Sequence, residues 1–155
     1  MKTRIILDMD GTIVDLYGRA NWLEDIRSEK KMLFRNLEEL EETKGCNIEL
    51  EEALINGSVA EVVVATWTPY NVSPSYIKQV AQEKKDWIRE EDFEFVSDIL
   101  IMPYGTPKSE SRCENYLNIL FDDNVEIRKE FEEHKNCLAF EPKDIFRVLE
   151  ILKER

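Results

Sequence analysis

Apolar and polar positions along this chain alternate in two rhythms. Five short apolar runs are separated by stretches whose apolar residues recur at helical spacing, the pattern of an α/β protein built on a parallel sheet. The runs predict strands at Arg4–Leu7, Val62–Ala65, Ile99–Met102, Asn118–Phe121 and Cys137–Phe140. Between the first two, Trp22, Ile26, Leu33, Leu37 and Leu40 fit one buried stripe, predicting a helical region from about Asn21 to Glu42. A short helix from about Leu50 to Asn56 stops at Gly57. Ser73 followed by Pro74 opens a helix that continues through Trp87 and Ile88. Asp123 and Asn124 suit the start of a helix through Phe131, and a last helix after Pro142 turns Ile145, Val148, Leu149 and Leu152 inward. There is no internal repeat, low-complexity stretch or linker, so residues 1–155 are expected to form one domain.

The first apolar run ends abruptly in Asp8-Met9-Asp10-Gly11-Thr12. Apolar runs of this kind are buried strands of parallel sheets, and ligands of such sheets bind beyond the carboxyl ends of the strands. Side chains two apart on an extended chain point the same way, so Asp8 and Asp10 could share one small space. Two unit charges ~4 Å apart repel by about 4 kcal/mol at an effective dielectric of ~20. A cation or a shared proton must offset that cost, which marks a site and not a packing solution. A calcium loop of the helix-loop-helix kind is excluded by frame. With Gly11 as its sixth residue, the first and last positions would be Ile6 and Tyr17, neither a ligand.

These residues resemble the first motif of the haloacid dehalogenase superfamily, Asp-x-Asp-x-Thr after a strand. Thr66, ending the run Val62–Ala65, resembles its second motif, with Thr68 a competitor; Lys108 resembles its third, with Lys84 or Lys85 as alternatives; Asp122-Asp123 resembles its acidic fourth. All four stand in order over most of the chain. The second acid, Asp10, is similar to the phosphatases and phosphomutases of that superfamily. The resemblance implies a three-layer, Rossmann-like five-stranded parallel sheet with a central first strand, the second and third strands on one side and the fourth and fifth on the other. It further implies phosphoryl transfer through an aspartyl-phosphate. Asp8 would be the nucleophile, Asp10 the general acid and base, and Lys108 the neutralising cation. Gly11, Thr12, Thr66 and Lys108 would surround the phosphoryl group. Magnesium is the implied cofactor, held by Asp8, the Asp10 backbone and Asp123, with Asp122 holding Lys108 or a metal water; the two acids could exchange roles. The residues between the first two motifs leave too little chain for a globular cap. The expectation is an open site, or one covered by a small helical insertion within 18–57 or by the second subunit of a homo-oligomer.

Composition narrows the function further. A hydrophobic share of 43% suits a globular domain, and no apolar stretch approaches the ~20 residues of a membrane helix. The formal net charge of −12 argues against nucleic acid as a partner, since such proteins usually present basic faces. Lys30, Lys31 and Arg35 sit among acids and form an ordinary solvated face. Three cysteines, Cys46, Cys113 and Cys137, lack paired metal spacing and suit reduced thiols in the cytoplasm. The single histidine, His134, lies in a charged stretch and reads as solvated. Tyr17, Trp22, Trp67, Tyr70 and Tyr104 fall on segments near the site and could stack a base. The layout is similar to the small 5′(3′)-deoxyribonucleotidase-like branch, which implies a nucleotide or other small phosphorylated substrate. A phosphoprotein, a nucleic-acid end, and a non-catalytic binding module of the same fold are the alternatives.

Overall fold

A computed structural model describes all of residues 1–155. Strands β1 (Lys2–Leu7), β2 (Glu61–Trp67), β3 (Asp98–Met102), β4 (Tyr116–Phe121) and β5 (Cys137–Phe140) form one sheet in the order β3-β2-β1-β4-β5. Every neighbouring pair is parallel. Helices α1 (Trp22–Arg27), α2 (Cys46–Ile55), α3 (Pro74–Glu90), α4 (Val125–Glu132) and α5 (Ile145–Lys153) connect or follow them. The order is the one the resemblance implied: β1 is central, and its Ile5, Ile6 and Leu7 are wholly shut from solvent.

Strand alternation sorts the core onto two unequal faces. Ile5, Leu7, Val62, Val64, Ile119 and Phe121 join α2, α3 and α5 in the larger cluster. Ile6, Val63, Ala65 and Leu120 face Phe131 of α4 in a cluster of six buried residues. The connection from β3 to β4 carries only a 3-10 turn, Lys108–Ser111, so the second face is thinly covered. That short connection brings Lys108 directly to the sheet edge.

The caps follow the sequence closely. Ser73 Oγ accepts from the Tyr76 amide and Pro74 takes the first helical position of α3. Asn124 Oδ1 accepts from the amides of Glu126 and Ile127 to begin α4. Gly45, at φ +88°, caps α2, which starts at Cys46, four residues before the expected Leu50, and Gly57, at φ +82°, follows its end.

The helical region expected over Asn21–Glu42 is corrected. Only Trp22–Arg27 is α-helical; turns and the 3-10 segment Glu41–Thr43 occupy the rest. Glu29 and Met32 take left-handed backbone, at φ +56° and +66°, which breaks a helix. Tertiary bonds replace the lost helical ones. The buried Glu83 carboxylate accepts from the amides of Met32 and Phe34, both at 3.0 Å, and the Trp87 indole donates to the Leu37 carbonyl at 2.8 Å. Leu33, Phe34 and Leu37 are buried all the same, so the apolar spacing reported inward positions and misreported the backbone. No helix is long and apolar enough to cross a membrane.

Candidate active site

Strand register assembles the site. Leu7 pairs with Phe121, so the next residues, Asp8 and Asp122, leave adjacent strand ends side by side. Leu7 also pairs with Val64, which sets Thr66 just beyond on the other side. Carboxylate oxygens of Asp8, Asp122 and Asp123 all lie within 4.8 Å of one another, an arrangement that could hold a metal ion. Asp8 and Asp122 are buried and Asp123 is exposed.

Two buried lysines meet this cluster. Lys108 Nζ donates to Asp8 Oδ1 at 2.9 Å and to Asp122 Oδ2 at 3.0 Å. Lys84 Nζ, from α3, donates to Asp10 Oδ2 at 2.9 Å, Thr66 Oγ1 at 2.7 Å and the Trp67 carbonyl at 2.8 Å. Lys85 is exposed and takes no part, and Thr68 donates weakly to the Met102 carbonyl at 3.5 Å. Asp122 is pinned further: its Oδ1 accepts from the Asn124 amide, and its carbonyl accepts from Arg128. With both its carboxylate oxygens engaged by protein donors, Asp122 is the less available ligand of the acidic pair.

The first motif folds as a tight turn. The amides of Thr12, Ile13 and Val14 all donate to the Met9 carbonyl, and the Gly11 amide donates to Val14. The amides of Gly11 and Thr12 are therefore bonded inside the turn. The buried Thr12 hydroxyl donates to Asp8 Oδ2 at 3.2 Å, and the Thr12 carbonyl accepts from Thr43 at 2.6 Å. Gly11 stands at φ +81°, and a Cβ there would meet Asp123 Oδ2 at 2.4 Å and the Tyr17 ring at 2.9 Å. Glycine lets the turn approach Asp123 that closely.

Burial and mutual repulsion govern the charges. Burial raises the Asp10 carboxyl above its usual range, with the Lys84 ammonium pulling it back. Burial first, then Asp8, pushes Asp122 up to about 6. The same causes with Asp122 added push Asp123 up to about 7. Burial works against the Lys108 charge, yet Asp8 and Asp122 hold its pKa above the ordinary lysine value. Four carboxylates, Asp8, Asp10, Asp122 and Asp123, face two ammoniums, which leaves a formal charge of −2 when all are ionised.

Above this floor opens a cleft of about 500 Å³. Trp67, Tyr104 and Tyr70 line one wall, with ring centroids 5.0 Å and 5.5 Å apart in succession. Tyr17 and Trp22, edge to face at 4.9 Å, stand with Leu23 and Ile26 of α1 among the other lining residues. Of the helices within residues 18–57, α1 lines the cleft and α2 does not. His134 lies outside it, its ring bonded to Glu130 at 2.8 Å, and Glu130 in turn accepts from Ser109 beside Lys108.

Sequence reasoning had Lys84 only as a stand-in for Lys108 and did not single out Glu83. A signal was present. Tyr76, Val80, Glu83, Lys84, Trp87 and Ile88 trace the inward stripe of α3, so two charged residues occupied core positions. Neither a protein-family model nor a curated protein matches the chain.

Proposed function

We propose that this chain is a magnesium-dependent phosphatase of haloacid dehalogenase type, hydrolysing a phosphate monoester through an aspartyl-phosphate on Asp8. The observation that carries the reading is the Lys108 bridge from Asp8 to Asp122, at 2.9 Å and 3.0 Å, beside the acidic trio. Such a lysine neutralises an attacking carboxylate without blocking its second oxygen. Asp8 attacks phosphorus, Asp10 protonates the departing oxygen, and Asp10 then takes a proton from the water that hydrolyses the intermediate.

The donor set fits magnesium. It is all oxygen, suits a hard cation, and carries the formal −2 that one divalent ion offsets. Asp8, Asp123 and the Asp10 backbone carbonyl would hold the ion, with Asp122 fixing Lys108 beside it. Bound there, it supplies charge stabilisation to the phosphoryl oxygens. Lys108 and the Thr66 hydroxyl complete that stabilisation from the protein side; Thr66 accepts from Lys84, which leaves its own hydrogen free to donate.

A small substrate suits a cleft of about 500 Å³ bounded by α1. Its aromatic walls favour a planar leaving group, so a nucleoside monophosphate is the first substrate to test. Free Cys46, Cys113 and Cys137 agree with a reducing, cytoplasmic setting. The test is hydrolysis of an aryl phosphate and of a nucleotide panel by the purified protein, with magnesium and with chelator. The reading expects turnover that chelator abolishes. Turnover of equal rate in chelator rules out the metal-dependent mechanism, and a flat response across nucleotides removes the nucleotide branch alone.

A further inference from the structure

We propose that Lys84 is a positioning residue for Asp10, fixing one carboxylate oxygen so that the other is the oxygen that exchanges the proton. This rests on the phosphatase reading above. Lys84 is wholly buried, and its three donors are all consumed, by Asp10 Oδ2, Thr66 Oγ1 and the Trp67 carbonyl. It has no donor left for a phosphoryl oxygen, whereas Lys108 spends two of its three. Its stem is held in turn: the ammonium lies 5.0 Å from the centre of the Phe34 ring, and the Phe34 amide is bound by Glu83, the neighbour of Lys84 on α3.

The second observation is on Asp10 itself. With Oδ2 held by Lys84, Asp10 Oδ1 is buried and has no hydrogen-bond partner. Buried polar atoms are nearly always paired, and an unpaired one on a residue lining the cleft calls for a partner that arrives with the substrate. A carboxylate free to rotate could turn either oxygen to a partner; the Lys84 contact leaves Oδ1 as the one without a protein partner.

In the first half-reaction Asp8 forms an O–P bond as the ester P–O bond breaks, its electron pair staying on the leaving oxygen. The proton on Asp10 Oδ1 passes to that oxygen, and the carboxylate that remains stays paired with Lys84. In the second, water attacks phosphorus and gives its proton to Asp10 Oδ1, inorganic phosphate departs, and the Asp8 carboxylate is regenerated.

The test uses four full-length proteins: wild type, Lys84→Met, Asp10→Asn and the double variant. Each is assayed with magnesium on phenyl phosphate, whose leaving group needs a proton, and on 2,4-dinitrophenyl phosphate, whose leaving group does not. Lys84→Met is expected to lower kcat/KM, which reads only the steps through expulsion of the aryl group, by about 10- to 100-fold on phenyl phosphate, part of what a general acid contributes, and by under about threefold on the dinitrophenyl ester. In the Asp10→Asn background the lysine substitution should cost nothing further. Equal losses on both esters, or losses that multiply in the double variant, overturn the proposal. So does failure of both Lys84→Met and Lys84→Gln to melt cooperatively, which would assign the lysine to the fold. A wild type that turns over neither ester defeats the phosphatase reading instead. The Lys84–Asp10 coupling is then read from melting temperatures of the same four proteins, where simple additivity also overturns positioning.

Discussion

Lys84 and Lys108 reach one cluster of aspartates from opposite faces of the sheet. Lys84 comes from α3, packed on the larger core face, and takes Asp10 and Thr66. Lys108 comes from the short turn over the thinner face and takes Asp8 and Asp122. The cations are therefore not interchangeable, although both are buried and both are paired. Replacing Lys108 by Met leaves two buried carboxylates without their partner. Breaking a buried pair this way costs about 3–5 kcal/mol. The loss should appear in urea unfolding of the metal-free protein and shrink when magnesium is added. A variant as stable as wild type in chelator would show that the bridge contributes nothing.

The acidic pair sets a pH dependence that metal should reverse. Asp122 is pushed up to about 6 and Asp123 to about 7 in the folded chain, both above the unfolded value of 3.8. A carboxyl raised on folding stabilises below its unfolded pKa and loses that contribution as pH rises through the folded one. The metal-free protein should therefore melt at lower temperature at pH 8 than at pH 5, with most of the change between about 5 and 7. Asp123 is exposed and solvent screens it, so Asp122 carries the larger part. A divalent cation held by Asp8 and Asp123 would favour the ionised forms, so adding magnesium should raise the melting temperature more at pH 8 than at pH 5. Melting curves that coincide at both pH values in chelator would contradict this electrostatic picture.

How much of this was legible beforehand depends on which interactions decide each part. Strand positions followed from the apolar runs, because a buried parallel strand announces itself by composition, whereas the sheet order came only from the resemblance of the motifs. Asp8 and the Asp122-Asp123 pair come together because strand register puts the ends of β1 and β4 side by side, and the short connection after β3 brings Lys108 to them. The segment after Arg27 was misread, since its conformation is set by Glu83 and Trp87, far along the chain. Spacing along a segment cannot reveal an acceptor that arrives from another helix.

Gly11 is the residue at which local backbone and site chemistry meet. Its φ of +81° alone makes Ala cost about 1–2 kcal/mol. The added methyl would also press on Asp123, at 2.4 Å from Oδ2. Gly11→Ala should thus weaken magnesium binding by more than about tenfold in calorimetric titration while the protein still folds. Unchanged affinity would mean that Asp123 is not a ligand.

Asp8 as the phosphorylated nucleophile is the centre of the account, and trapping tests it most directly. The protein is mixed with excess aryl phosphate and magnesium, quenched in acid within seconds, reduced with borohydride and mapped by peptide mass. The account predicts modification on the peptide carrying Asp8 and none in Asp8→Asn. Turnover that leaves this peptide unmodified, or that survives in a folded Asp8→Asn variant, would contradict it.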